Sequence, residues 1–355
     1  MYKRQISDGT GSIDAAKLSL ITAKTTGTVT LQNAQTIQGT GDEVTAALIT
    51  DAVTLSAASN ATVTGNVTAE VAGNIANVTD ITAAFSGTIT DTLANLADSG
   101  SISTNFSRAR GDDTDVKVVV SDGTGTLSAA DLKAVTEKTT GTVTLQSAQT
   151  ISGSGTDVTA VLITDAVTLS AASNATVTGN VTAEVAGNIA NVTDITAAFS
   201  GTITDTLANL ADSGSISTNF SRARGDDTDV KVVVSDGTGT LSAADLKAVT
   251  EKTTGTVTLQ NAQTVSGSGS DLVAALKTDP VTLSAASTAT ITSAVTAAVA
   301  AEIAAITDIT LDSSGDGTIT DTLENLLNEG QTAISTAFSN ARAEDTDVNL
   351  SLIHI

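Results

Sequence analysis

The stretch SDGTGTLSAADLKAVTEKTTGTVTLQ, Ser121 to Gln146, returns letter for letter at Ser235 to Gln260. An edited form, SDGTGSIDAAKLSLITAKTTGTVTLQ, starts at Ser7, so the offset is 114 residues both times. Self-similarity at a fixed period is the signature of a repeat architecture and takes precedence over a domain count based on length. The chain divides into repeat one (7–120), repeat two (121–234) and repeat three (235–349). Asp51 to Gln146 is identical to Asp165 to Gln260. Repeat three drifts most. It carries insertions around Asp312 to Gly317 and around Gln331 to Ala333, and it holds the only proline, Pro280.

The two ends match nothing in the repeat. Leu350-Ser351-Leu352-Ile353-His354-Ile355 is the translation of CTGTCTCTTATACACATC, a transposon-type sequencing adaptor. Its reverse complement contains GTGTATAAGAGACAG, which reads Met1-Tyr2-Lys3-Arg4-Gln5 from a GTG start. Residues 1–6 and 350–355 are therefore expected to be adaptor scars on a metagenomic fragment, with the true termini elsewhere. The only His (His354), Tyr (Tyr2) and Met (Met1) of the chain fall in these ends.

Net charge is −23 and the pI about 4.1. A surface this acidic repels phosphate backbones, which argues against nucleic acid as a partner. There is no Cys, so neither a disulfide framework nor a thiolate metal site can form. Hydrophobic residues still make up 40% against 2% aromatic, so a core of Val, Ile, Leu and Ala is expected rather than a disordered acidic tail. No apolar run reaches the roughly 18–20 residues of a membrane span.

Within repeat two the apolar pattern alternates between a period of 2 and one near 3.6. Thr142 to Leu145 reads as a strand. Gly153 to Gly155 reads as a turn, after which Thr156 caps a short helix carrying Val158, Val161 and Leu162. Val167 to Leu169 and Ala175 to Thr178 are strand regions. Thr182 caps the clearest helix, with Val181, Val185, Ile189 and Val192 on one stripe. Ile195 to Phe199 is a further strand, and Thr204 is read as the cap of a helix bearing Leu207 and Leu210. More helix is expected around Ile216 to Ala223. Val230 to Val234 is the last strand, and Ser242 with Asp245 reads as a capping box. Strands separated by helical crossovers pair in parallel, and modules of about 25–35 residues bury their apolar faces only by stacking. The expected fold is an α/β, β/α solenoid of strand-turn-short helix modules with a parallel sheet. The alternative is an all-β right-handed parallel helix with loops in place of the helices.

Strings such as GTVTLQSAQTISGSGTDVTAVL and GTITDTLANLADSG resemble the Thr/Ala/Val-rich tandem repeats of giant secreted or cell-surface, adhesin-like proteins of marine bacteria such as picocyanobacteria. The resemblance is largely compositional and spans nearly all of the chain between its two ends. It implies an extracellular or cell-surface location and a structural or adhesive role, and it transfers no catalytic residues. The partners it implies are neighbouring repeats of the same chain and cell-surface polysaccharide or other surface proteins.

Candidate site residues are carboxylates. Asp112, Asp113 and Asp115 recur as Asp226, Asp227 and Asp229, and repeat three has Glu344, Asp345 and Asp347. Three acids in four residues could hold a hard, oxygen-seeking cation, and calcium is the one cofactor the sequence admits. The competing reading is a solvated acidic turn before a strand. Asp122 to Asp131 looks like the back half of an EF-hand loop, but Val120 stands at the first ligand position and Lys17 replaces the closing Asp131 in repeat one. A glycine-rich turn entering a capped helix accounts for it better. Arg110-Gly111-Asp112 spells the integrin tripeptide, and repeat three breaks it as Arg342-Ala343-Glu344. Thr-x-Thr at 142/144, 176/178 and 202/204 would resemble ice-binding rows, although threonine is also the ordinary exposed residue of a strand. With no Cys, and His and Tyr only at the ends, His-based triads, thiol nucleophiles and His–zinc sites have no residues to build them. Three functions remain in view. One is a non-catalytic structural or adhesive repeat segment. The second is a calcium-stabilised binding module of an RTX-like adhesin, although the Gly-Gly-x-Gly-x-Asp nonapeptide is missing. The third is a solenoid acting on polysaccharide through paired carboxylates.

Overall fold

The computed structural model describes residues 4–7, 9–50, 53–278, 281–283, 285–312, 317–345 and 350–352. Pro280, Asp347, residues 313–316 of the first insertion, and residues 1–3 and 353–355 of the ends lie outside them. The chain forms two compact units, Met1–Thr176 with Val192–Ile195, and Val177–Asn191 with Thr196–Ile355.

In the first unit, Gly11–Asp14, Gln35–Thr40, Ser59–Thr64 and Ile81–Phe85 lie side by side in one parallel sheet. Gly11 stands opposite Gln35, Thr36 opposite Asn60, and Ser59 opposite Ile81. A second parallel sheet joins Thr88–Asp91, Lys117–Val120, Val143–Leu145 and Thr168–Leu169. Arg4–Ile6, Val29–Leu31 and Thr54–Leu55 form a third. Alternate side chains turn inward: Val118 and Val120, Val143 and Leu145, Ala83 and Phe85 are all buried. The period of 2 in the sequence is this alternation.

The second unit repeats the arrangement. Thr202–Asp205, Lys231–Val234, Val257–Leu259 and Thr282–Leu283 form one parallel sheet. Thr240–Ser242, Thr264–Gly267, Ser287–Ile291 and Ile309–Asp312 form another. Ile319–Asp321 pairs with Leu350–Leu352.

Helices occupy the crossovers, where the all-β alternative would have loops. Ala69–Ala76 and Ala183–Ala190 are capped by Thr68 and Thr182, as expected at Thr182, and bury Ala72, Ile75 and their counterparts. Thr104–Asp112 packs beside Ala69–Ala76 so tightly that a Cβ on Gly73 would lie 2.5 Å from the Cα of Asn105.

Several local expectations are corrected. Gly153 is not in a turn: Gln149–Ser154 is a strand that runs through it. A Cβ there would sit 2.7 Å from Ala129 Cβ, so the glycine marks a close approach of helix to sheet. The cap of Gly155–Thr159 is Ser154, not Thr156, with Asp157 N–H donating to Ser154 Oγ. That helix continues as a π-helical turn, Ala160–Thr164, burying Val161 and Leu162. Thr204 lies within the strand Thr202–Asp205, and Leu207–Leu210 begins after Thr206, which makes no side-chain cap. Ser242 accepts from Asp245 N–H, but the Asp245 carboxylate turns elsewhere, so the box stays half closed. At Gly153, Thr204 and Asp245 a partner distant in sequence outbids the local one, whereas Ser154 displaces Thr156 within the same turn.

Candidate functional site

Ser103 accepts from Phe106 N–H and starts the helix Thr104–Asp112, which is anchored by buried Phe106 and Ala109. Its last turn delivers Asp112 and Asp113 to the open edge of Ile81–Phe85. That strand pairs with Ser59–Thr64 on one side, and alternate N–H groups on its other side have no strand to bond among the described residues. Ala83 N–H donates to Asp112 Oδ2 at 2.8 Å, and Phe85 N–H to Asp113 Oδ2 at 2.7 Å. In the second unit, Ala197 donates to Asp226 at 2.8 Å and Phe199 to Asp227 at 2.7 Å. The paired aspartates thus take the place of a next strand. An edge whose donors are already taken is a poor template for further pairing, and a carboxylate makes the stronger, charge-assisted bond.

Asp115 is exposed and stands beside Asp113 rather than on the strand edge. Burial pushes the Asp113 carboxyl above the ordinary range; the Phe85 N–H pulls it down, and neighbouring Asp115 adds to the rise. Asp227 behaves alike beside Asp229. In repeat three, Asp345 follows the helix Thr336–Glu344 and Asp347 lies outside the described residues. Among the described residues, no group of three or more His, Cys, Asp or Glu side chains is placed to hold a metal ion. The Arg110-Gly111-Asp112 tripeptide is helical, with Arg110 Nε donating to Lys138 O and Asp112 held by Ala83.

Other aspartates that the sequence reading passed over do similar work. Asp91 is buried and accepts from Ala69 N–H, Thr92 N–H and Asn95 Nδ2 at 2.7–2.9 Å. Asp205 repeats these bonds with Ala183, Thr206 and Asn209, and Asp321 with Ala297, Thr322 and Asn325. Burial raises the Asp321 carboxyl, but the Asn325 amide and the N–H groups of Thr322 and Ala297 outweigh it and hold it below the usual range. Asp122 and Asp131, the acids of the EF-hand-like stretch, accept from Leu93 N–H and Gly100 N–H. The one available signal was recurrence: Asp91, Asp205 and Asp321 fall at matching places in the three repeats.

A polar cleft of about 380 Å³ lies between the helices Ala69–Ala76 and Thr104–Asp112, lined by Thr68, Glu70, Asp91, Asn95, Ser103 and Asn105 among others. Its counterpart of about 280 Å³ has Thr182, Glu184, Asp205, Asn209, Ser217 and Asn219. Such a lining can exchange hydrogen bonds with hydroxyl groups, and it contains no aromatic side chain. Repeat three has Ala298 and Ala337 at the places of Glu70 and Asn105. The Thr-x-Thr rows stand on sheet faces, where Thr144 lies opposite Thr168 and Val119 interrupts the column before Thr90. No helix among the described residues is long and apolar enough to cross a membrane.

No protein-family model matches the chain, and no curated protein matches it. Several solved structures align at low similarity, and two of them serve as examples. The PEPR1–AtPEP1 crystal structure aligns at 10% identity over 97% of this chain and 47% of its own, with a TM-score of 0.21. The LRR ectodomain of the Arabidopsis receptor kinase HAESA, in complex with an N-terminally extended IDA peptide hormone, aligns at 11% identity over 91% of this chain and 66% of its own, with a TM-score of 0.22. The chain therefore spans less than two thirds of either protein's length.

Proposed function

We propose that this chain is a non-catalytic structural repeat segment, of the β/α solenoid kind, from a large adhesin-like protein of the bacterial surface or surroundings, bounded by adaptor-derived ends. One observation carries the reading. Aspartates that recur in two or all three repeats are engaged with backbone N–H groups 22–31 residues away. The recurring chemistry thus holds one module to the next, as expected of an array whose stability is the sum of its interfaces. A second reading, calcium stabilisation at Asp112, Asp113, Asp115 and their equivalents, draws support from the like-charged Asp113–Asp115 pair, which a cation would relieve.

One experiment separates these readings from an enzyme. The full chain is melted in calcium chloride and in chelator, and it is incubated with surface polysaccharides while reducing ends are counted. The structural reading expects the same melt in both buffers and no new ends. A rise with calcium that disappears when Asp112, Asp113 and Asp115 and their counterparts become Asn would install the second reading. Glycan cleavage would overturn both.

A further inference from the structure

The two polar clefts rest on a frame of hydrogen bonds that all three repeats share. Thr68 caps Ala69–Ala76 and Ser103 caps Thr104–Asp112. Between the two caps, buried Asp91 commits both oxygens to Ala69 N–H, Thr92 N–H and the Asn95 amide. Thr296, Ser335 and Asp321 make the same bonds in repeat three. Neither Glu70 nor Asn105 contributes a side-chain bond to this frame.

Three positions around the frame change together. Repeats one and two, identical over this block, have Glu70, Gly73 and Asn105 with their counterparts Glu184, Gly187 and Asn219, whereas repeat three has Ala298, Ala301 and Ala337. Packing couples two of them, because a Cβ on Gly73 would lie 2.5 Å from Asn105 Cα and 2.7 Å from its carbonyl oxygen. Glycine inside a helix is less stable than alanine, so repeats one and two forgo helix stability to bring Asn105 in. Asn105 is half-buried, yet among the described residues neither its amide nor the Glu70 carboxylate has a partner in the protein, and the same holds for Asn219 and Glu184. Asn95 Oδ1 is also free, since only its amide nitrogen is engaged.

The lining selects among ligands. Among the described residues no basic side chain lines either cleft, so an anion would meet Glu70 and Asp91 with no counter-charge. An ammonium group, a donor only, would satisfy Glu70 but give the Asn105 N–H groups no acceptor. A carboxylate that accepts, together with an amide that donates and accepts, suits neighbouring hydroxyl groups, each of which does both. At about 380 and 280 Å³ the clefts sit near the lower end of the roughly 300–1,000 Å³ of small-molecule sites, room for one ring rather than a long oligomer. We propose that each cleft, at Glu70 with Asn105 and at Glu184 with Asn219, binds one ring of a neutral polysaccharide through adjacent hydroxyl groups, and that repeat three, with alanine at both places, does not. This adds a ligand to the structural reading above; a failure to bind would leave that reading standing, because it concerns the backbone-bound aspartates and not these residues.

The test is affinity electrophoresis of the full chain through gels cast with dextran, galactan or mannan, or with alginate as a polyanionic control, and circular dichroism verifies folding. The wild type should be retarded by at least one of the neutral polysaccharides and not by alginate. Glu70→Ala with Glu184→Ala should weaken that binding by more than about tenfold, and Asn105→Ala with Asn219→Ala by about two- to tenfold, as expected for lost charged and neutral hydrogen bonds. Each pair installs only the residue that repeat three already carries, so the fold should be kept. The reverse exchange, Ala298→Glu with Ala301→Gly and Ala337→Asn, should add a third site and increase the retardation. Retardation by none of the three neutral polysaccharides, equal retardation by alginate, or alanine pairs that migrate like the wild type would each overturn the proposal. Should an alanine pair fail to fold, the gain or its absence in the repeat-three variant decides alone.

Discussion

Replacing Asp113 and Asp227 with alanine removes the acceptors of Phe85 N–H and Phe199 N–H, in strands whose inward side chains are buried. A donor left without a partner in such a place costs about 1–3 kcal/mol. Two effects reduce that loss. Each carboxylate is itself disfavoured by burial, and each has an acidic neighbour, Asp115 or Asp229, so its removal relieves some repulsion. The net expectation is a loss of about 1–2 kcal/mol for each substitution, at the lower end of that range. Asparagine keeps an oxygen for the same N–H and removes the charge. Its bond is weaker than the charge-assisted one, but the repulsion disappears, so its cost should stay within about 0.5 kcal/mol. The assay is urea unfolding of the full chain followed by circular dichroism, comparing wild type, both single alanine variants, the double alanine variant and the double asparagine variant. The two single alanine variants should match, because they lie in an identical block of sequence. Equal losses for alanine and asparagine would refute the edge-capping role and point to charge alone. The pH dependence has a definite sign. A carboxyl whose pKa is raised in the folded state contributes stability below its unfolded value, and this is lost as pH rises through the folded value. The wild type should therefore gain on the double asparagine variant as the solution is made more acidic.

Further outcomes follow from the same packing. Gly73→Ala forces a Cβ to within 2.5 Å of the Asn105 backbone, and the cost of about 1–3 kcal/mol should exceed the helix-propensity gain of about 0.5–1 kcal/mol. Repeat three has Ala301 and Ala337 at these places, so Ala301→Gly should lose only the propensity difference; a stabilising Gly73→Ala in thermal melts would refute the close contact. Asp157 is held below the ordinary range, first by the Ser154 hydroxyl and then by Lys133 at 3.0 Å, and Asp271 by Ser268 and then Lys247. A lowered carboxyl contributes stability above its unfolded pKa that is lost as pH falls through the folded value. Lys133→Met should therefore lower stability slightly near neutrality and leave it unchanged at strongly acidic pH, as denaturant titrations at both would show.

The repeat, its period and its alternation of strand and helix were legible in the residues, because inward and outward positions alternate every two residues in strands and return every three to four in helices. Thr182 as a cap and Val230 to Val234 as a strand region (Lys231–Val234 in the structure) were legible for the same reason: each depends on neighbours within one turn or one pleat. Gly153 was misread, because a glycine required by the approach of a distant helix looks like a glycine required by a turn. Asp112 and Asp113 read in the sequence as acids that could hold a cation or form a solvated turn, and the structure sets their carboxylates on the N–H groups of Ala83 and Phe85, 28–29 residues away. Local periodicity thus determined the elements and their order. Which backbone donors each carboxylate meets was decided only by tertiary packing, because it depends on distances across the sheet and helix layers rather than along the chain.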